Sequence, residues 1–177
     1  GDVKPGQTVL IHDDAGDHAG LMAADLLSES GSVVEIVTPD RSFAPEVMAM
    51  NLVPYMRSLQ ARDVTFTVTW RLRAVTREGN GLLAHLGSDY GSTLRTRRVD
   101  QVVVNHGTRP LDELYFELKP LSRNLGAVDY TALATGGAQT RLHNPEGGFR
   151  LFRIGDAVAA RNTHAAIYDA LRLVRGL

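Results

Sequence analysis

Apolar positions along this chain fall into short runs separated by polar turns, and two spacings alternate. Val9–Ile11 is a compact apolar strand. Over residues 18–30 apolar or small side chains recur at Leu21, Ala24 and Leu27 and at Met22 and Leu26, a helical period that ends at Gly31. "VVEIVT" at 33–38 is a second strand, followed by the polar turn "PDRSFAP". From Glu46 to Arg62, the residues Val47, Met50, Leu52, Met56 and Leu59 trace a second helix, interrupted by Pro54; "VTFTV" at 64–68 is a third strand. Strand, helix, strand, helix, strand in this order predicts parallel pairing through right-handed crossovers.

The period then changes. Residues 70–105 carry two glycine-bearing turns, "EGNG" and "SDYG", between runs of strand formers, the pattern of an antiparallel meander. The meander returns to one strongly apolar strand, "QVVVN" at 101–105, followed by "HGTRP". The predicted architecture is therefore α/β: a three-layer arrangement with a parallel sheet and an antiparallel β-meander crossover. Past a glycine- and polar-rich stretch at 122–150 comes "LFRIGDAVAARNTHAAIYDALRLV". It predicts a strand at Leu151–Ile154, a turn at Gly155-Asp156-Ala157 and a helix from Thr163. The break in pattern places 151–155 outside the parallel sheet, or leaves it as an unpaired strand.

Composition removes several function classes. The 177 residues are 44% hydrophobic, 6% aromatic and 22% charged with a net charge of −1, ordinary for a globular α/β domain and without a field that recruits nucleic acid. The arginines at 95, 97 and 98 have no aromatic platform beside them and read as a solvated face. With no cysteine, this chain holds no disulfide, thiolate nucleophile or cysteine-bound iron–sulfur cluster of its own. No apolar run approaches the ~18 residues of a membrane helix, and no secretory signal pattern is present, so a cytoplasmic location without membrane contact is expected. The first residue is not methionine and "GDVKPGQ" reads as linker, so a longer parent polypeptide is expected.

The chemistry concentrates in the turn between the first strand and first helix, "DDAGDH" at 13–18. Turns in this position of nucleotide-binding sheets use glycines so that the backbone can approach a pyrophosphate with its N–H groups inward. Here Gly16 is the surviving turn glycine, Gly20 is a helix-packing glycine, and Asp13, Asp14 and Asp17 bring three negative charges. Two like charges ~5 Å apart at an effective dielectric of ~20 repel by roughly 3 kcal/mol, about two decades of affinity. The acid that would read a ribose is displaced: Thr38 ends the second strand and Asp40 lies beyond Pro39. Arg41 could meet a 2′-phosphate, but "PDRS" reads more readily as a solvated turn. Gly107 lets the chain pass close to the mouth of the sheet, or serves turn geometry alone. The histidines at 12, 18, 106 and 164 fall at strand ends or helix starts without metal-ligand spacing, and the turn's carboxylates have no partner evident in sequence, so no metal site is expected. No nucleophile elbow is present.

"VLIHDDAGDHAGLMAADLL", "VEIVTPD", "VVVNHGTRP" and "RIGDAVAARNTHAAIYDALR" together resemble the C-terminal dinucleotide-binding region of flavin oxidoreductases related to Old Yellow Enzyme. That group includes 2,4-dienoyl-CoA reductases, trimethylamine and histamine dehydrogenases, and N-methylproline demethylases. The resemblance covers nearly the whole chain, and the aspartate-rich turn favours the amine dehydrogenase branch. It implies a Rossmann-like fold with residues 1–125 homologous to an NAD(P)-binding domain, 126–150 as a connecting segment and 151–177 as the returning part of an FAD- or ADP-binding domain. Gly155 and Asp156 would then face a flavin ribityl chain, and the helix start at Thr163 its phosphates; the plainer alternative is an aspartate capping its own turn. FMN, an iron–sulfur cluster, the catalytic residues and the substrate contacts would reside in a barrel outside this sequence, so no cofactor is expected to stay tightly bound here. The resemblance further implies a homo-oligomeric parent and an electron-transfer flavoprotein as acceptor, which would leave the nicotinamide site vestigial. The alternative is a working NAD(P)H domain of a dienoyl-CoA or enoate reductase.

Overall fold

A computed structural model describes residues 4–177, so the first three residues of the linker-like "GDVKPGQ" lie outside the described part. The chain forms two compact units, the first ending at Gly107 and the second running Thr108–Leu177.

In the first unit, β1 (Thr8–Asp13), β2 (Val33–Val37), β3 (Thr65–Thr67) and β7 (Gln101–Asn105) form a parallel sheet in the order β3-β2-β1-β7. The helices α1 (His18–Glu29) and α2 (Ala49–Ala61) supply the crossovers. Strand alternation divides β1 between two cores. Val9 and Ile11 pack with Leu21, Ala24 and Leu27 of α1 and Leu59 of α2, whereas Leu10 turns to the other face. There it meets Ala84, Leu86 and Val99 of an antiparallel sheet made of β4 (Trp70–Glu78), β5 (Gly81–Ser88) and β6 (Leu94–Val99). The three predicted layers are thus helices, parallel sheet and meander. Burying each large side chain such as Leu10 or Ile36 contributes about 1.5–3 kcal/mol.

Two helical expectations are refined. Of the two apolar stripes read on the first helix, Leu21, Ala24 and Leu27 face the core, while Met22 and Leu26 are exposed. The second helix starts at Ala49 rather than Glu46 and runs unbroken through Pro54. Pro54 removes the N–H that would bond back to Met50, but both residues lie on the solvent side, where the freed carbonyl is not buried against the core. Across the helix pair, Asp25 accepts from Ser58 and from Arg62, and the Ser58 hydroxyl, with Arg62, holds the Asp25 carboxyl below its ordinary range.

The second unit contains α3 (Glu113–Leu118), α4 (Tyr130–Thr135), a 3-10 turn at Gly155–Ala157 and α5 (Thr163–Val174). Its interior is unusually polar, with Ser122, Asn124 and Gln139 buried. The strand expected at Leu151–Ile154 does not form. The segment joins neither sheet; instead the Asn124 side chain donates to the Leu151 carbonyl at 2.8 Å and accepts the Leu151 N–H at 2.9 Å. A side-chain amide thus satisfies backbone groups that a neighbouring strand would otherwise take. The glycine- and polar-rich stretch 122–150 also holds the short helix α4, which starts from an Asp129 cap.

Candidate functional site

β1 ends and α1 begins across the aspartate-rich turn, and strand alternation sends its carboxylates in different directions. Asp13 points to the helix side and is only 2% exposed. Its Oδ1 accepts the N–H groups of Ala15 (3.2 Å) and Gly16 (3.1 Å) and the Asn105 side-chain amide (2.9 Å). Burial pushes the Asp13 carboxyl up; these donors oppose that shift and the nearby Asp17 charge adds to it. Asp13 Oδ2 lies over Gly20, where a Cβ would come within 2.5 Å of it. Asp17 is the N-cap of α1, accepting the Ala19 N–H at 2.8 Å and the same Asn105 amide at 3.1 Å.

Asp14 goes the other way. Arg71 donates to both of its oxygens at 3.1 and 3.0 Å, and His106 Nδ1 lies 3.3 Å from Oδ2. Arg71 also reaches Asp89. The turn's carboxylates therefore do have partners, supplied by residues distant in sequence, and this corrects their reading as unpaired. Among the described residues no cluster with metal-holding geometry occurs. On the meander side of β1, His12 is fully buried; neither ring nitrogen has a hydrogen-bond partner, and its ring meets His106 edge-on at 5.4 Å. Burial pushes the His12 imidazole down; Asp14 opposes this, while His106 and Arg71 reinforce it.

The segment after β2 folds back over the turn. Gly16 adopts φ +68, and a Cβ there would stand 2.7 Å from Pro45 Cδ; the Gly16 carbonyl accepts the Glu46 N–H at 3.0 Å. Ala44 and Val47 are buried in the helix-side core, and Phe43 meets Phe66 edge-on at 4.9 Å, fixing the segment from both ends. Asp40 is exposed. Its N–H donates to the buried Thr38 hydroxyl at 3.2 Å and its carbonyl accepts from Thr69, so its loop is tied to the β3–β4 corner. Gly107 follows β7 at φ +80 with open space around it.

Of the residues singled out in sequence, Gly16, Asp40 and Gly107 belong to the first unit and Gly155, Asp156 and Thr163 to the second. Gly155 is buried at φ +56, close against Ala166, and its N–H donates to Asp169 at 3.2 Å. Asp156 is exposed and lines a pocket of about 270 Å³ with Thr108, Arg109, Leu111, Ala157 and Ala160. Thr163 opens α5, but the capping oxygen is that of Asn162, which accepts the Ala165 N–H at 2.9 Å. Asn162 carries its own sequence signal, an N-cap residue type just before a helical period. Pro45, Asn105 and Arg71 carried none.

The sheet order, meander crossover and strand-turn-helix opening define a mixed α/β domain with a four-stranded parallel sheet and a three-stranded antiparallel meander. No family model matches the chain. It is 68% identical over 177 residues to a probable N-methylproline demethylase of Rhizobium meliloti, covering 100% of this chain and 26% of that protein. It is 45% identical to an N,N-dimethylglycine/sarcosine dehydrogenase of Chromohalobacter salexigens (99% and 26% covered) and 32% identical to a multifunctional alkene reductase/demethylase OYE of Caballeronia cordobensis (96% and 26%). The chain thus spans about a quarter of the length of the curated relatives it matches. Among solved structures, histamine dehydrogenase from Rhizobium sp. 4-9 shares the fold at TM-score 0.65 and 19% identity, covering 98% of this chain and 23% of that one. The resemblance to Old Yellow Enzyme-related flavin oxidoreductases is borne out by these relatives.

Proposed function

We propose that this chain is a dinucleotide-type region of a flavin-dependent amine demethylase or dehydrogenase whose nicotinamide site is closed. The observation that carries this reading is the seating of Ala44–Val47 on the phosphate turn. The backbone approach that Gly16 would give a pyrophosphate is taken by Pro45, and Asp13, Asp14 and Asp17 surround the same turn. The similarity to demethylases and amine dehydrogenases supports the reaction class; the substrate itself would be recognised elsewhere in the whole protein. In this reading electrons leave the parent enzyme through a separate flavoprotein carrier, so NAD(P)H has no task.

Residues 151–177, within the second unit, are in the same reading the part returning to an FAD- or ADP-binding domain. The unit's residues fit such a group: Asp156 accepts only a long 3.4 Å bond from the Arg161 N–H and shares its pocket with Arg109, leaving a carboxylate for hydroxyls and a cation for a phosphate. Bound there, the group would supply a redox centre or a structural nucleotide, while Asp156 and Arg109 orient it. FMN, the iron–sulfur cluster, homo-oligomerisation and the cytoplasmic location belong to the proposed parent protein.

Titration with NADH and with NADPH tests the closed site. Binding no tighter than about 1 mM, equivalent to about −4 kcal/mol, is expected by calorimetry. Micromolar affinity would overturn the proposal and favour a working NAD(P)H domain of an alkene or enoyl-CoA reductase.

A further inference from the structure

We propose that Asp13 is the resident anion of the α1 turn, its carboxylate taking the place that a ligand phosphate takes in binding turns of this shape. The inference rests on the closed-site reading and gives it an atomic cause. Three features converge on it. The N–H groups of Ala15 and Gly16, in the loop that leads from β1 to the Asp17 cap of α1, both point to Asp13 Oδ1. Asn105, at the end of the neighbouring strand β7, adds a third donor to the same oxygen. The bare α-carbon of Gly20 leaves the space that Oδ2 fills, so the helix-packing glycine of the turn is used here to admit a side chain. The carboxylate comes from the last residue of β1 and cannot diffuse away, so its effective concentration at the donors is set by the strand rather than by solution. An exogenous phosphate would have to expel a buried, triply bonded group before reaching the same N–H groups. Asp13 is thus a positioning and excluding residue, not a catalytic one.

The test replaces the deleted group. In Asp13→Ala the thermal midpoint should drop by about 3–8 °C. Formate, which is the missing carboxylate as a free ion, should restore at least half of the drop at constant ionic strength, with chloride as reference. In the same titration the amide resonances of Ala15 and Gly16 should move saturably with formate. An equal response of the unaltered protein to formate, or immobile amides in the variant, overturns the proposal. Should Asp13→Ala not fold, the unaltered protein still decides. Its Ala15 and Gly16 amide shifts should follow the Asp13 carboxyl titration and stay fixed on addition of pyrophosphate. Amides that ignore the carboxyl, or that saturate with pyrophosphate, overturn it. Nicotinamide binding elsewhere on the chain would defeat the closed-site reading and leave these amide readouts unchanged, so the two failures are separable.

Discussion

Gly20→Ala is expected to destabilise the protein by about 2–3 kcal/mol, although alanine is the better helix former by up to about 1 kcal/mol. The new Cβ would stand 2.5 Å from Asp13 Oδ2 and 2.6 Å from its Cγ, far inside contact distance. A flexible surface side chain would swing aside at little cost. Asp13 cannot, because it is buried and its other oxygen holds three donors. Either the helix start shifts away from β1, opening the packing around Leu21 and Ala24, or the carboxylate leaves donors unsatisfied; each costs on the order of 1–3 kcal/mol. A fall in thermal midpoint of about 4–10 °C should report it. The penalty should shrink markedly when Asp13→Ala is combined with Gly20→Ala, since the clash partner is then gone and the two changes are coupled rather than additive. A Gly20→Ala protein as stable as the original would show that Asp13 and Gly20 do not press on one another.

Much of this arrangement is legible in the chain itself, because it is written in local periods. Val9–Ile11, the 33–38 strand and the helical stripe of Leu21, Ala24 and Leu27 belong to patterns only a few residues long, and the meander is announced by its glycine turns. What the sequence conceals is non-local. Three aspartates within five residues read as one patch of negative charge. Yet Asp13 and Asp14 are adjacent at the end of a strand and so face opposite sides of the sheet. Their partners, Asn105, Arg71 and His106, come from 57 to 92 residues away. The charge that seemed to line an empty cradle is instead divided among a backbone anion site, an ion pair and a helix cap. The fold-back of Ala44–Val47 was hidden for a similar reason, since "PDRSFAP" is turn-like wherever it lies. The missing strand at Leu151–Ile154 shows the converse: an apolar run predicts extended backbone, but a strand needs a neighbour, and within its unit Asn124 takes that place.

His12→Leu is expected to stabilise the protein at neutral pH and to remove a large part of its acid sensitivity. Leucine has a similar volume and carries no polar atom, whereas the imidazole keeps two ring nitrogens without partners at 0% exposure, a burden of about 1–3 kcal/mol. The charged groups facing the ring are Asp14, which favours its protonation, and His106 and Arg71, which oppose it; burial decides, holding its pKa below the ordinary 6.5. Above that ordinary value neither folded nor unfolded chain binds a proton at His12, and stability does not depend on pH through this group. As pH falls below about 6.5 the unfolded chain takes up the proton while the folded one resists, so stability drops, at most by about 1.4 kcal/mol per pH unit. Urea midpoints measured from pH 7.5 down to 5.0 should fall for the original protein and fall less for His12→Leu. His106→Asn should retain most of the loss, because burial rather than the His106 charge is the main cause of the lowered His12 pKa. An identical slope for the His12→Leu and original proteins would place the acid sensitivity elsewhere. The buried imidazole would then have no part in it.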